Sequence, residues 1–180
     1  HPPARLHSRA VGLAIAILDV DYRDDHAFAA CVLADAWDAP APRRELAVRV
    51  DGVAPYEPGS FYKRELPCLL AVLSRVTDPL ACVVVDAYVW LDGAGRPGLG
   101  ARLYEALGAR VPVVGVAKKR FGDGDFATPV LRGESATPIW VTAAGVSRDE
   151  AAERVRAMHG RYRIPTLLTR VDRLCRDARV

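Results

Sequence analysis

Two aspartates stand at the ends of apolar runs. Asp19 follows Ile15-Ala16-Ile17-Leu18, and Asp86 follows Ala81-Cys82-Val83-Val84-Val85. An acid at the end of a buried strand is costly unless it is paired or holds a cation. Ligands of open α/β sheets also gather at strand carboxyl ends. Two neighbouring strands ending this way place two carboxylates side by side, and like charges so close need a counter-ion. Oxygen donors favour Mg²⁺, with Mn²⁺ as a substitute. Glu65, near the start of a predicted helix, is a third acid nearby. One such Asp alone more often caps a turn; two with a third acid nearby favour the metal. Asp21 shares the strand face of Asp19 by the period of two and is a rival ligand, with Asp24 and Asp25 close behind.

The elements that must position these acids follow from periodicity and turn residues. Val11–Tyr22 and Ala27–Trp37 read as strands joined by the polar turn Arg23-Asp24-Asp25-His26, a hairpin. Glu45–Val50 alternates as a third strand after the turn Pro40-Ala41-Pro42. Pro55–Gly59 is a loop, and Ser60 is a candidate N-cap for a helix running through Val76, bent or delayed by Pro67. Leu80–Asp86 and Val111–Val116 are apolar throughout, as buried parallel strands are. Between them lie the loop Asp92–Gly98 and a short helix, Leu99–Leu107. Thr128–Arg132 and Pro138–Val141 predict a second hairpin. Ser147 caps a helix over Arg148–Met158, and a last helix ends near Ala178. Three antiparallel strands and then parallel strands, flanked by helices, make a mixed α/β sheet in the strand order of the ribonuclease H-like fold.

Composition sets the outer bounds. The chain has 180 residues, 51% of them hydrophobic and 26% charged, as in one globular domain, 1–180. No apolar run is long enough to span a bilayer, and His1–Arg5 opens no secretory leader, so a cytoplasmic protein without a membrane is expected. The net charge of +3 says little about partners. Basic residues gather at Lys63-Arg64, at Lys118-Lys119-Arg120 and from Arg154 to Arg176, the last group reading as a solvated helix face. Cys31, Cys68, Cys82 and Cys175 lack zinc spacing and read as free thiols. The histidines form no ligand pattern.

Pro55-Tyr56-Glu57-Pro58-Gly59, followed after four positions by Arg64-Glu65, is the most specific segment. It resembles the P-Y-x-P-G and R-E pattern of the endonuclease V family. Asp19-Val20, Val85-Asp86, Gly115-Val116-Ala117-Lys118, Arg163-Ile164-Pro165 and Thr169-Arg170 resemble that family's other motifs in the same order. The resemblance implies a metal-dependent endonuclease that nicks DNA or RNA beside a deaminated base such as inosine, a repair-like activity. It implies that Asp19, Asp86 and Glu65 bind Mg²⁺, and that Lys118 supports the phosphate. It implies that Pro55, Tyr56, Pro58 and Gly59 form a loop whose Tyr56 wedges in at the damaged base, and that Ala87 stands where a Gly borders the base pocket. Arg96-Pro97-Gly98-Leu99-Gly100 replaces the family's H-P-R-x-x-G loop. Ala144-Gly145 replaces its G-H, whose His would reach the metal. The alternative is a nucleic-acid-binding module of the same fold with weak or lost cleavage. A purely structural protein is a third reading. A monomer is expected.

Overall fold

The computed structural model describes residues 12–123 and 125–179. His1–Arg5 and Val11, which figure in the sequence reading, lie outside the described residues. The strands are β1 (Ala14–Tyr22), β2 (His26–Ala34), β3 (Arg44–Asp51), β4 (Leu80–Val85), β5 (Val113–Ala117), β6 (Thr128–Val130) and β7 (Ile139–Ala144). The helices are α1 (Phe61–Leu73), α2 (Leu99–Ala106), α3 (Arg148–Arg156) and α4 (Thr166–Asp177). One sheet carries all these strands in the order β3-β2-β1-β4-β5-β7-β6. β1, β2 and β3 pair antiparallel, β1, β4 and β5 run parallel, and β7 returns antiparallel to β5. The predicted mixed sheet and both hairpins are present.

Two apolar layers sandwich the sheet because successive side chains alternate faces. Ile15 and Ile17 of β1, Cys82 and Val84 of β4, and Val114 and Val116 of β5 pack with α3 and α4. Ala16 and Leu18, Val83 and Val85, and Val113 face the layer of α1 and α2. Strands buried on both faces have no reason to alternate in polarity, which explains the unbroken apolar runs.

Several ends differ from the sequence reading. β2 stops at Ala34, before the turn that holds Trp37. Ser60 occupies the N-cap position of α1, but its side chain makes no capping hydrogen bond. Pro67 lies inside α1, which runs through it from Phe61, so it does not delay the helix. Ser147 does cap α3, its hydroxyl accepting from the Glu150 amide at 3.1 Å. The four cysteines are buried free thiols. The basic residues of the last helices pair as a solvated face would, Arg154 with Glu150, Arg156 with Glu153 and Arg176 with Asp172. Arg163 departs from that pattern and is taken up below. No helix among the described residues is long and apolar enough to cross a membrane.

Candidate metal centre and base cavity

Leu18 of β1 lies opposite Val85 of β4 in parallel register, so the next residues along, Asp19 and Asp86, leave the sheet side by side. The period of two settles which way they face. Asp19 continues the Ile15–Ile17 series, Asp86 the Cys82–Val84 series, and Lys118 the Val114–Val116 series, all three on the side of α4. Lys118 Nζ stands 3.3 Å from Asp86 Oδ2. Asp19, Asp86 and Lys118 line one narrow cleft, closed by Ile164 and by Leu168 and Val171 of α4.

Glu65 reaches the same cluster from the first turns of α1. Burial raises its carboxyl to about 8, with the charges of Asp19 and Asp86 adding to the rise. Asp19 is pushed up to about 7, first by burial and then by Asp86, against a hydrogen bond from the Val20 amide and the charge of Lys118. Carboxyls raised by one another are what a shared site of like charge produces. No group of three or more His, Cys, Asp or Glu side chains among the described residues is already gathered in a metal-holding arrangement. The donor chemistry nevertheless fits a hard divalent cation. The acids supply oxygen only, and a cation is the group that would relieve the repulsion raising Asp19 and Glu65.

Of the rival ligands, Asp21 and Asp25 are engaged elsewhere. Asp21 pairs with Arg23 at 2.6 Å, and Arg23 also donates to the carbonyls of Cys175, Arg176 and Ala178 at the end of α4. Asp25 holds His26 in the exposed turn, where Asp24 is also exposed. The sequence reading missed Asp172. This α4 acid raises Asp19 further through its charge while pairing with Arg176 at 3.0 Å. The sequence carried part of the signal: Leu168, Val171 and Cys175 form a helical stripe with Asp172 within it, but the stripe does not say which strand it covers.

The chain segment after Asp86 is seated by Gly115. A Cβ there would stand 2.3 Å from the Ala87 carbonyl oxygen and 2.8 Å from Thr142 Oγ1. Thr142, opposite Gly115 on β7, accepts from the Val89 amide at 2.8 Å in a fully buried hydrogen bond. The Gly of the G-V-A-K stretch therefore lets the backbone of 87–89 cross β5 at contact distance. That crossing sets Ala87 against a cavity of about 570 Å³. Gly59, Phe61, Tyr62, Tyr88, Arg102 and Phe121 are among its other walls. Of the predicted substrate-binding residues, Gly59 and Ala87 line this cavity. Pro55, Tyr56 and Pro58 are exposed on the loop beside it, Tyr56 at 62%.

The basic residues beside the site are less free than the sequence suggested. Lys63 is held by Glu57 at 2.9 Å, and the Arg64 guanidinium lies 3.6 Å over the Tyr22 ring. Lys119 and Arg120 are exposed.

The expectation for Gly145 is corrected. Ala144 pairs with Val113, the first residue of β5, whereas Lys118 follows its last, so Gly145 sits at the opposite end of the sheet from the acids. A Cβ at Gly145 would meet the Tyr104 ring at 2.9 Å and Pro112 at 3.2 Å. A histidine there cannot reach Asp19 or Asp86, because the length of β5 intervenes, at roughly 3.3 Å per residue. Its absence therefore removes nothing from the acid cluster.

Comparison with known proteins identifies the family and the fold. Residues 5–146 match the family model for Endonuclease V. The Endonuclease V of Streptomyces avermitilis is 31% identical over 89% of this chain and 78% of that protein. That of Xylella fastidiosa is 37% identical over 69% of this chain, which spans about half of it, 51%. The crystal structure of the Streptomyces avermitilis protein superposes with a TM-score of 0.74 at 29% identity, over 93% of this chain and 81% of that one. A Ciona intestinalis Endonuclease V, in complex with a 23mer DNA containing an inosine followed by a ribo-adenosine, shares the fold at a TM-score of 0.75 and 16% identity. It covers 91% of this chain and 84% of that one. With a family model matching most of its length, a relative 31% identical over 89% of it and a shared ribonuclease H-like sheet, the chain belongs to the endonuclease V family.

Proposed function

We propose that the described residues work as one endonuclease V-like unit that hydrolyses a phosphodiester of DNA or RNA beside a deaminated base, inosine first among them. The carrying observation is the placement of Asp19, Asp86, Glu65 and Lys118 at one sheet end, directly beside the cavity that holds Gly59 and Ala87. Asp19, Asp86 and Glu65 would hold Mg²⁺ or Mn²⁺, which when bound polarises a phosphoryl oxygen and lowers the pKa of bound water.

The chain's own residues do the rest. Lys118 presents its ammonium to the charge that develops on the phosphate, with Asp86 holding it in place. Without a cation the carboxyls of Asp19 and Glu65 are raised to about 7 and about 8, so a bound divalent ion would be what holds them ionised near neutral pH. The exposed ring of Tyr56 fills the gap left when the base leaves its stack, and the aromatic cavity receives that base. Exposed Lys119 and Arg120 lie beside the strand path. Buried free thiols suit a reducing, cytoplasmic setting.

Nicking of an end-labelled inosine strand with Mn²⁺, lost in Asp86→Asn, is the expected result. Binding without cleavage in either metal would assign the chain to a recognition module instead.

A further inference from the structure

Arg102 projects from α2 into the wall of the aromatic cavity. Its guanidinium lies 4.2 Å over the Tyr62 ring. Its Nε is buried without a hydrogen-bond partner, and the side chain meets no carboxylate or carbonyl among the described residues. Arg96, the cavity's other cation, differs: it keeps Asp92 at 3.7 Å. An arginine held against a ring, with its donors unspent in an aromatic cavity, is a device awaiting a planar acceptor.

We propose that Arg102 reads the acceptor edge, O6 and N7, of a 6-oxopurine base seated in this cavity. The inference rests on the nucleic-acid reading above and adds the residue that selects the base. The cavity, about 570 Å³, has room for a purine and its sugar. Phe61, Tyr88 and Phe121 offer aromatic surface that suits a base and does not suit a phosphate. Two arginine donors match O6 and N7, the pairing by which arginine recognises guanine. Hypoxanthine presents the same edge. Adenine replaces O6 with an amino donor, which would face the guanidinium unpaired. Ala87, on the same wall, narrows the cavity by a methyl without altering that edge.

The test is equilibrium binding of short labelled single strands by fluorescence anisotropy, with Ca²⁺ as the divalent ion. One position carries inosine, guanosine, adenosine, 7-deazainosine (no N7) or nebularine (no O6). The parent is expected to bind inosine and guanosine roughly 5- to 150-fold tighter than adenosine, the range for one bidentate base contact. 7-Deazainosine and nebularine should each lose part of that gain. Arg102→Met, which keeps length and packing, should flatten the series at an unchanged salt slope. Arg102→Lys should restore a part.

A parent that ranks all the purines alike overturns the proposal, and needs no variant to do so. Loss on every strand alike in Arg102→Met, with a salt slope smaller by about 0.7, would make Arg102 a phosphate contact and also overturn it. Circular dichroism excludes misfolding; if the variant misfolds, the parent's series decides alone. A flat ranking in a parent that still nicks the inosine strand removes Arg102 and leaves the nuclease reading standing. Failure to bind any strand removes both.

Discussion

Lys118 Nζ lies 3.3 Å from Asp86 Oδ2, across the gap between the ends of two parallel neighbours, β5 and β4. The contact gives Lys118 two tasks that pull in different directions. It offsets part of the carboxylate repulsion, lowering Asp19, and it supplies positive charge where a phosphate must sit. Lys118→Met separates them. If the second task matters, single-turnover nicking should fall by ~10²–10³-fold, the cost of removing one preorganised donor, with strand affinity little changed. Unchanged nicking would leave Lys118 as a counter-charge for Asp86 alone.

Without metal, the acid cluster should make the protein less stable as pH rises. Asp19 rises from 3.8 to about 7 and Glu65 from 4.5 to about 8 on folding, burial being the larger cause for both. Between the unfolded and folded values the folded state binds more protons than the unfolded one. Stability is therefore full below about pH 4 and declines as pH climbs through 7 to 8. Each shift corresponds to a loss on the order of a few kcal/mol. Thermal melts in EDTA should show a lower Tm at pH 8 than at pH 5.5. Asp19→Asn should shrink that gap, and Mn²⁺ should shrink it in the parent. A gap equally large in Asp19→Asn would place its origin outside the cluster.

The carboxylates were legible because strand-end acids contrast with apolar runs, and apolar runs are how buried parallel strands are written. The observed register, with period two, then puts Asp19, Asp86 and Lys118 on one face. What escaped is chemistry that depends on distant chain segments. Asp172 joins the site only because α4 packs over β1. Gly145 was misplaced because sequence order shows a strand followed by a glycine but not which end of β5 that strand returns to; antiparallel pairing sends it away from the acids. Lys63 and Arg64 read as a basic pair beside the site, yet Glu57 and the Tyr22 ring occupy them. Tyr88 carried no signal in the sequence. Its hydroxyl in fact donates to the Lys119 carbonyl and accepts from the Phe121 amide, tying two cavity walls together.

Gly145→His should do nothing for cleavage and should cost stability. The residue has φ of +81°, where a side chain is strained, and its Cβ would press on the Tyr104 ring. Such strain costs on the order of 1–3 kcal/mol. For a chain of this size that lowers Tm by roughly 2–4 °C per kcal/mol. Faster single-turnover nicking by this variant would contradict the strand pairing that puts Gly145 at the far end.

The last prediction concerns Arg163, the basic residue that departs from the solvated pattern. Its guanidinium donates to the carbonyls of Lys118, Thr137 and Pro138. Beside it, buried Arg132 donates to the carbonyls of Met158, Gly160, Tyr162 and Arg163. Two arginines thus fasten the connector before α4, one from within and one onto the strand end that carries Lys118. The next residue, Ile164, walls the cleft, and α4 then brings Leu168, Val171 and Asp172 to it. Arg163 is therefore a positioning residue: it touches no acid, but it sets the backbone from which Lys118 extends. Arg163→Met removes three charge-assisted bonds and should lower Tm by several degrees. It should also lower kcat by up to ~10²-fold, as an ångström of misplacement does, with KM nearly unchanged. Arg163→Lys should recover stability better than rate, because a single ammonium cannot hold three carbonyls in the planar arrangement of a guanidinium. A variant that loses Tm but keeps kcat would make Arg163 a fastening of the fold with no part in aiming Lys118.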